Sequence, residues 1–239
     1  MTTELRGADV VMARLRAHGV GQIFTLSGNH IMSLFDAAKD RGPRLIHTRH
    51  EAAAVHMADA VGRLTGRPGV AMVTGGPGHA NGTAAITTAR GADSPLVLLS
   101  GHAPTNEIGR GAFQEFDQAA MAAPVAKASW MVARAEDLSA EVDRAMALAA
   151  EGRPGPVCLS LPSDLMHAFI SATDVNAAPA AVDEAAPDTA SKEWTELRSW
   201  VATAKRPLLI GGPVFCRPEL RATLAQTARI LGIPFVVKE

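Results

Sequence analysis

Three short segments of the 239-residue chain carry side chains that could do chemistry. In Arg49-His50-Glu51 a carboxylate ends a short polar-apolar stretch and begins the Ala-rich run EAAAVHMADAVGRLT. The ordinary reading of such a Glu is stabilisation by the helix dipole, about 0.3–1 kcal/mol. A strand end that runs into an apolar helix is also where α/β folds place their ligands, so Glu51 is a candidate to hold or move a proton. The second segment is Thr74-Gly75-Gly76-Pro77-Gly78-His79-Ala80-Asn81-Gly82. Glycines after a buried strand let backbone approach a ligand closely, and a following helix start can receive a polar group. This loop has neither GxGxxG with a downstream acid nor the Gly-Lys-Ser/Thr of a Walker loop, so a nucleotide is not implied. The third segment, Gly111-Ala112-Phe113-Gln114-Glu115-Phe116-Asp117, is aromatic and acidic; taken alone it reads as a helix start with Phe113 and Phe116 in the core. Cys158 and Cys216 are far apart and flanked mostly by apolar residues, which suggests two buried thiols in a reducing compartment rather than metal ligands or a disulfide.

The elements that position these segments follow from the patterning. Short apolar runs alternate with amphipathic stretches, the signature of βαβ units and a mainly parallel sheet with helices on both faces. A helix near Val10 to His18 stops at Gly19 and Gly21; Gln22–Thr25 reads as a strand, 31–40 as a helix and Arg44–His47 as a second strand. The helix Glu51–Thr65 is closed by Gly66. Strand 70–73 enters the glycine loop, with a helix from about His79 to Arg90 beyond it. Strand 95–100 (PLVLLS) leads through a polar loop to a helix expected over about 114–121. Helix 136–150 and strand 156–161 complete this unit. Residues 171–190, rich in Ala, Pro and Asp, read as a linker between a first domain, 1–170, and the beginning of a second α/β domain, 191–239.

Composition narrows the function classes. Net charge is −1 with scattered Lys and Arg, and aromatics are 4% with no Tyr, which argues against nucleic acid as a partner. The polar Met1–Val10 segment is unlike a signal peptide, and no apolar run approaches the ~20 residues that span a bilayer. A cytoplasmic protein without a membrane partner is expected.

Arg49-His50-Glu51, Arg63-Leu64-Thr65-Gly66-Arg67-Pro68-Gly69-Val70, Gly76-Pro77-Gly78 with Ala80-Asn81, Ala112-Phe113-Gln114-Glu115 and Gly152-Arg153-Pro154-Gly155-Pro156-Val157 occur in this order. Together they resemble the N-terminal, pyrimidine-binding domain of thiamine-diphosphate enzymes of the acetolactate-synthase type, from about Leu5 to Asp164. A weaker likeness through Arg206–Gly212 resembles the start of that family's central domain. The resemblance implies that Glu51 hydrogen-bonds N1′ of the cofactor's aminopyrimidine, so that the exocyclic nitrogen becomes the base for the thiazolium C2 proton. It further implies Leu26, Ser27, Thr74, Pro77, Gly78 and Asn81 beside the cofactor and Gln114 as a second catalytic position. His30 and His79 would be candidate substrate or proton-relay groups, and Phe113 would reach toward the substrate. Leu26-Ser27 stand where the synthases carry Tyr-Pro, Asn29 and His30 replace small residues, and His79 stands where they have Ala. The expected substrate is a 2-oxo acid, with acyl-CoA (an oxalyl-CoA decarboxylase or 2-hydroxyacyl-CoA lyase) or a non-catalytic subunit as alternatives. Gly-Asp-Gly followed by Asn-Asn, the family's diphosphate and Mg2+ motif, does not occur here. The magnesium ligands are therefore expected outside this chain, within a homodimer or homotetramer, in a polypeptide that continues beyond residue 239. The resemblance leaves a flavin (FAD) in the central domain open.

Overall fold

The computed structural model describes residues 3–172, 177–178 and 188–238, in two units, 1–180 and 181–239. In the first unit the elements are β1 (Thr3–Arg6), α1 (Gly7–Ala17), β2 (Gln22–Thr25), α2 (Met32–Arg41), β3 (Arg44–His47), α3 (Glu51–Thr65), β4 (Gly69–Val73) and α4 (Pro77–Gly91). They continue as β5 (Leu96–His102), α5 (Gln118–Ala122), β6 (Ala128–Met131), α6 (Leu138–Ala150), β7 (Pro156–Pro162), α7 (Ser163–His167) and β8 (Phe169–Ala172). Six strands form one sheet in the order β3-β2-β4-β5-β7-β6, and every pairing within it is parallel.

Side-chain alternation along the strands builds a core on each face. Val70, Met72, Val97 and Leu99 point to the face covered by α1, α2 and α6, with Leu15, Leu34 and Leu138 among the filling residues. Ala71, Val73, Leu96 and Leu98 point to the other, where Ala54, Val55 and Ala58 of α3 meet Ala85, Ile86 and Ala89 of α4. Both faces are thus buried, which is why β4, β5 and β7 read as unbroken apolar runs. This is the expected α/β architecture. Because β3 and β4 lie on opposite sides of β2, the loops leaving β2 and β4 diverge and open a crevice at the carboxyl edge of the sheet.

The structure departs from the sequence expectation at several places. The helix expected over about 114–121 is only α5, Gln118–Ala122. Side-chain bonds to backbone organise the preceding residues as turns instead: the Glu115 carboxylate accepts from the backbone N–H of Gly109 and Ala112, and Asp117 Oδ1 caps Ala120 N–H at 2.9 Å. β6 was not anticipated; as a half-buried edge strand it has no period-2 pattern to read. Nor was β1, a polar segment whose partner, β8, is more than 160 residues away and antiparallel. Ser171 and Ala172, expected in the linker, belong to β8; 173–176 and 179–187 of that stretch lie outside the described residues. Cys158 is buried, but Cys216 is exposed rather than buried. Burial raises the Cys158 thiol to about 12, so it stays protonated and inert.

The second unit contains α8 (Lys192–Thr203), β9 (Leu209–Gly211), α9 (Pro218–Leu231) and β10 (Phe235–Val237). Its two strands pair in parallel, α8 is capped by the Ser191 hydroxyl, and α9 ends at Gly232 in the left-handed conformation, φ +66°. No helix among the described residues is long and apolar enough to cross a membrane.

Candidate functional site

Glu51 is the first residue of α3, and the corner that delivers it is tied to the neighbouring strand. Thr48 N–H donates to the Thr25 carbonyl at 2.8 Å, and the extended His50 caps the helix by accepting Ala52 N–H on Nδ1 at 3.1 Å. The Glu51 side chain is 8% exposed. Its Oε2 accepts from Asn81 Nδ2 at 3.0 Å across the α3–α4 contact. Oε1 is turned toward Gly78: a Cβ built there would lie 3.4 Å from Oε1 and collide with Thr74 Cγ2 at 2.7 Å. On the other side of Thr74, a Cβ on Gly28 would stand 2.4 Å from Thr74 Cβ. Thr74 is therefore wedged between two glycines from different loops, and only glycine allows both approaches. Pro77, which has no N–H to lose, occupies the first turn of α4 and is exposed, as is Asn81.

Gly76 makes the corner between β4 and α4 with φ +62° and ψ −121°, a region essentially reserved for glycine. Gln114, itself at φ +59°, packs directly on it; a Cβ on Gly76 would be 2.5 Å from Gln114 Cβ. Gln118, which the sequence reading did not single out, holds this corner. Its Oε1 accepts Gly76 N–H at 2.8 Å, and its Nε2 donates to the Gly101 carbonyl and to Ser160 Oγ, both at 3.1 Å. One buried amide thus links the ends of β4, β5 and β7. The available signal was a lone amide at the head of the apolar run QAAMA.

The two histidines separate in role. His30 Nδ1 lies 3.2 Å from Thr74 Oγ1, and its ring stacks on Phe113 with centroids 5.9 Å apart. Burial lowers its pKa, opposed in part by the Phe113 backbone. His30 is thus gathered with Thr74 and Gly28 near Glu51, and Phe113, 65% exposed, forms its outer cover. His79 is 0% exposed. Its Nδ1 is paired with Ser100 Oγ at 2.8 Å, its Nε2 has no hydrogen-bond partner, and Phe116 closes over it edge-on. Burial drives its pKa down to about 4. On the third residue of α4 its side chain points inward over β5, between Ser100 and Phe116. Leu26 is half-buried at the end of β2, while exposed Ser27 is turned away toward the sheet edge, its Oγ 3.3 Å from His47 Nε2. Among the described residues no group of three His, Cys, Asp or Glu gathers in a way that would hold a metal ion.

Residues 5–121 match the family described as thiamine pyrophosphate enzyme, N-terminal TPP binding domain. They belong to that family. The acetolactate synthase large subunit IlvG of Mycobacterium tuberculosis is 38% identical over 235 residues, 98% of this chain and 42% of that protein. Acetolactate synthase isozyme 3 large subunit of Escherichia coli is 36% identical over 239 residues, 97% and 41% respectively. The 2-hydroxyacyl-CoA lyase 2 of Bos taurus is 46% identical over 163 residues, 68% of this chain and 26% of that protein. The chain thus spans less than half the length of these relatives. In this thiamine pyrophosphate enzyme domain the Glu51–Asn81 pair, the Gly28–Thr74–Gly78 wedge and the Gly76 corner lie together at the carboxyl edge of the sheet, where the crevice opens.

Proposed function

We propose that this chain contributes the pyrimidine side of a thiamine diphosphate site in a 2-oxo-acid decarboxylase or carboligase of the acetolactate-synthase kind. The observation that carries the reading is the half-committed carboxylate of Glu51: Oε2 is held by Asn81, and Oε1, turned toward Gly78, has no hydrogen-bond partner among the described residues. A buried carboxylate with one partner and no cation is costly unless a second donor arrives. A protonated ring nitrogen of an aminopyrimidine is such a donor.

When bound, thiamine diphosphate supplies a carbon nucleophile and an electron sink. Glu51 would hold a proton at the pyrimidine N1′, Asn81 would fix the carboxylate plane, and Thr74, Gly78 and Pro77 would form the wall against the ring. Leu26 would pack from the β2 loop. Gln114, His30 and Phe113 would border the substrate, with His30 able to exchange a proton there through Nε2. The diphosphate and Mg2+ would be held by residues outside this chain. Residues 191–239 would open the family's central domain, and the exposed Phe113, Pro77 and Asn81 would be covered in a homodimer or homotetramer that completes two sites by symmetry.

A second reading is favoured by one specific finding, the 46% identity to 2-hydroxyacyl-CoA lyase 2: a lyase acting on an acyl-CoA. Turnover of pyruvate against a 2-hydroxyacyl-CoA by the complete enzyme separates the two. For the site itself the test is Glu51→Gln in the complete enzyme. Exchange of the cofactor C2 proton, followed by NMR, should slow by roughly 10²–10⁴-fold, with thermal stability little changed because the substitution is nearly isosteric. Unchanged exchange removes Glu51 from proton handling.

A further inference from the structure

A hollow in the first unit lies at the opposite edge of the sheet from Glu51. It is a cavity of about 560 Å³ where β2, β3 and β4 begin. Phe24, Val61 and Met146 supply apolar lining, and Arg44 and Arg67 stand at its polar side. The volume lies within the ~300–1,000 Å³ typical of small-molecule sites.

Two helices, α1 and α3, end here, and exposed helix carbonyls would ordinarily repel an anion. Several of these carbonyls are already occupied. The carbonyls of Arg14, Leu15 and Arg16 accept the backbone N–H groups of His18, Val20 and Gly19, and Gly62 accepts that of Gly66. Val61 accepts the Thr65 hydroxyl, and the His18 carbonyl accepts Arg67 Nη2 at 2.8 Å. That last contact needs glycine at position 19, φ +74°, where a Cβ would be 2.3 Å from Nη2. Arg67 is thereby anchored with its charge held at the rim. The neighbouring carboxylate, Asp143, is already engaged by Arg14 and His18, both at 2.8 Å. Arg44, exposed at the start of β3, has no side-chain hydrogen bond or ion pair among the described residues. The hollow therefore combines apolar lining, several satisfied acceptors, one cation anchored at its rim and a second, Arg44, without a side-chain partner among the described residues.

We propose that this cavity binds a small organic anion, a carboxylate or phosphate carried on an apolar body, at a site separate from the Glu51 crevice. The body would lie against Phe24 and Val61, which share one face of the sheet, and the charged group would meet Arg44 and Arg67. This proposal does not rest on the assignment of the Glu51 site.

The test is calorimetric titration of the full chain with octanoate, alongside n-octylamine and inorganic phosphate. Octanoate should bind saturably at one site, Arg44→Ala should weaken it about tenfold or more, the loss of a charged hydrogen bond, and Val61→Trp should abolish it by filling the floor. Circular dichroism melting verifies that both variants fold, and exposed Arg44→Ala stands alone if Val61→Trp does not. Octanoate affinity unchanged by Arg44→Ala, n-octylamine binding as tightly, or inorganic phosphate binding as tightly without the apolar body would each overturn the proposal.

Discussion

Burying His79 as a neutral ring has a consequence that can be measured as stability against pH. Its pKa falls from 6.5 to about 4 on folding because the imidazolium is denied water. The unfolded chain therefore binds a proton that the folded chain refuses between those values. Stability from this group is complete above about pH 6.5 and is lost as pH falls toward 4. By linkage the loss is about 2 kcal/mol at pH 5 and about 3 kcal/mol at pH 4. His30 adds to the same trend, since burial lowers it too. The carboxyl groups of Asp9, Glu115 and Glu136, all held below their ordinary range by hydrogen bonds, also lose their contribution in acid. A difference experiment isolates His79. Urea unfolding of the parent protein and of His79→Asn, whose amide can still meet Ser100, should give a stability difference that shifts by about 2 kcal/mol between pH 7 and pH 5. In the same range the His79 ring should remain neutral by NMR. A pH-independent difference, or a ring that titrates near 6.5, would refute the argument from burial.

Two further outcomes follow from the Gly76 corner. Gly76→Ala should cost about 1–3 kcal/mol from its left-handed backbone, with added strain against Gln114; urea unfolding unchanged by the substitution would show that the corner relaxes freely. Gln118→Leu should strand Gly76 N–H and the Gly101 carbonyl without partners, about 1–3 kcal/mol for each. Calorimetric melting of this variant within error of the parent would mean that water replaces the amide.

Much of this protein was legible in the linear chain because its determinants are local. The unbroken apolar runs of β4, β5 and β7 announce strands buried on both faces, and Gly66 closes α3 by a conformation that glycine alone adopts cheaply. The Arg49–Glu51 and Gly76–Asn81 segments likewise marked the residues that meet in space, since a parallel βαβ fold brings successive strand ends to one edge. What the chain could not disclose depends on partners distant in sequence. β1 is a strand only because β8 lies beside it, and residues 109–117 are turns because Glu115 reaches back to Gly109 and Ala112. His79 looked like His30 as a polar residue next to a glycine loop. The packing of α4 on β5 turned the first inward, where loss of water silences it, and left the second beside Thr74. Gln118 was unremarkable in sequence, yet its amide joins three strand ends. Periodicity and glycine placement determine which elements form, whereas the direction of each polar side chain is decided by which distant backbone groups would otherwise be buried without a hydrogen bond.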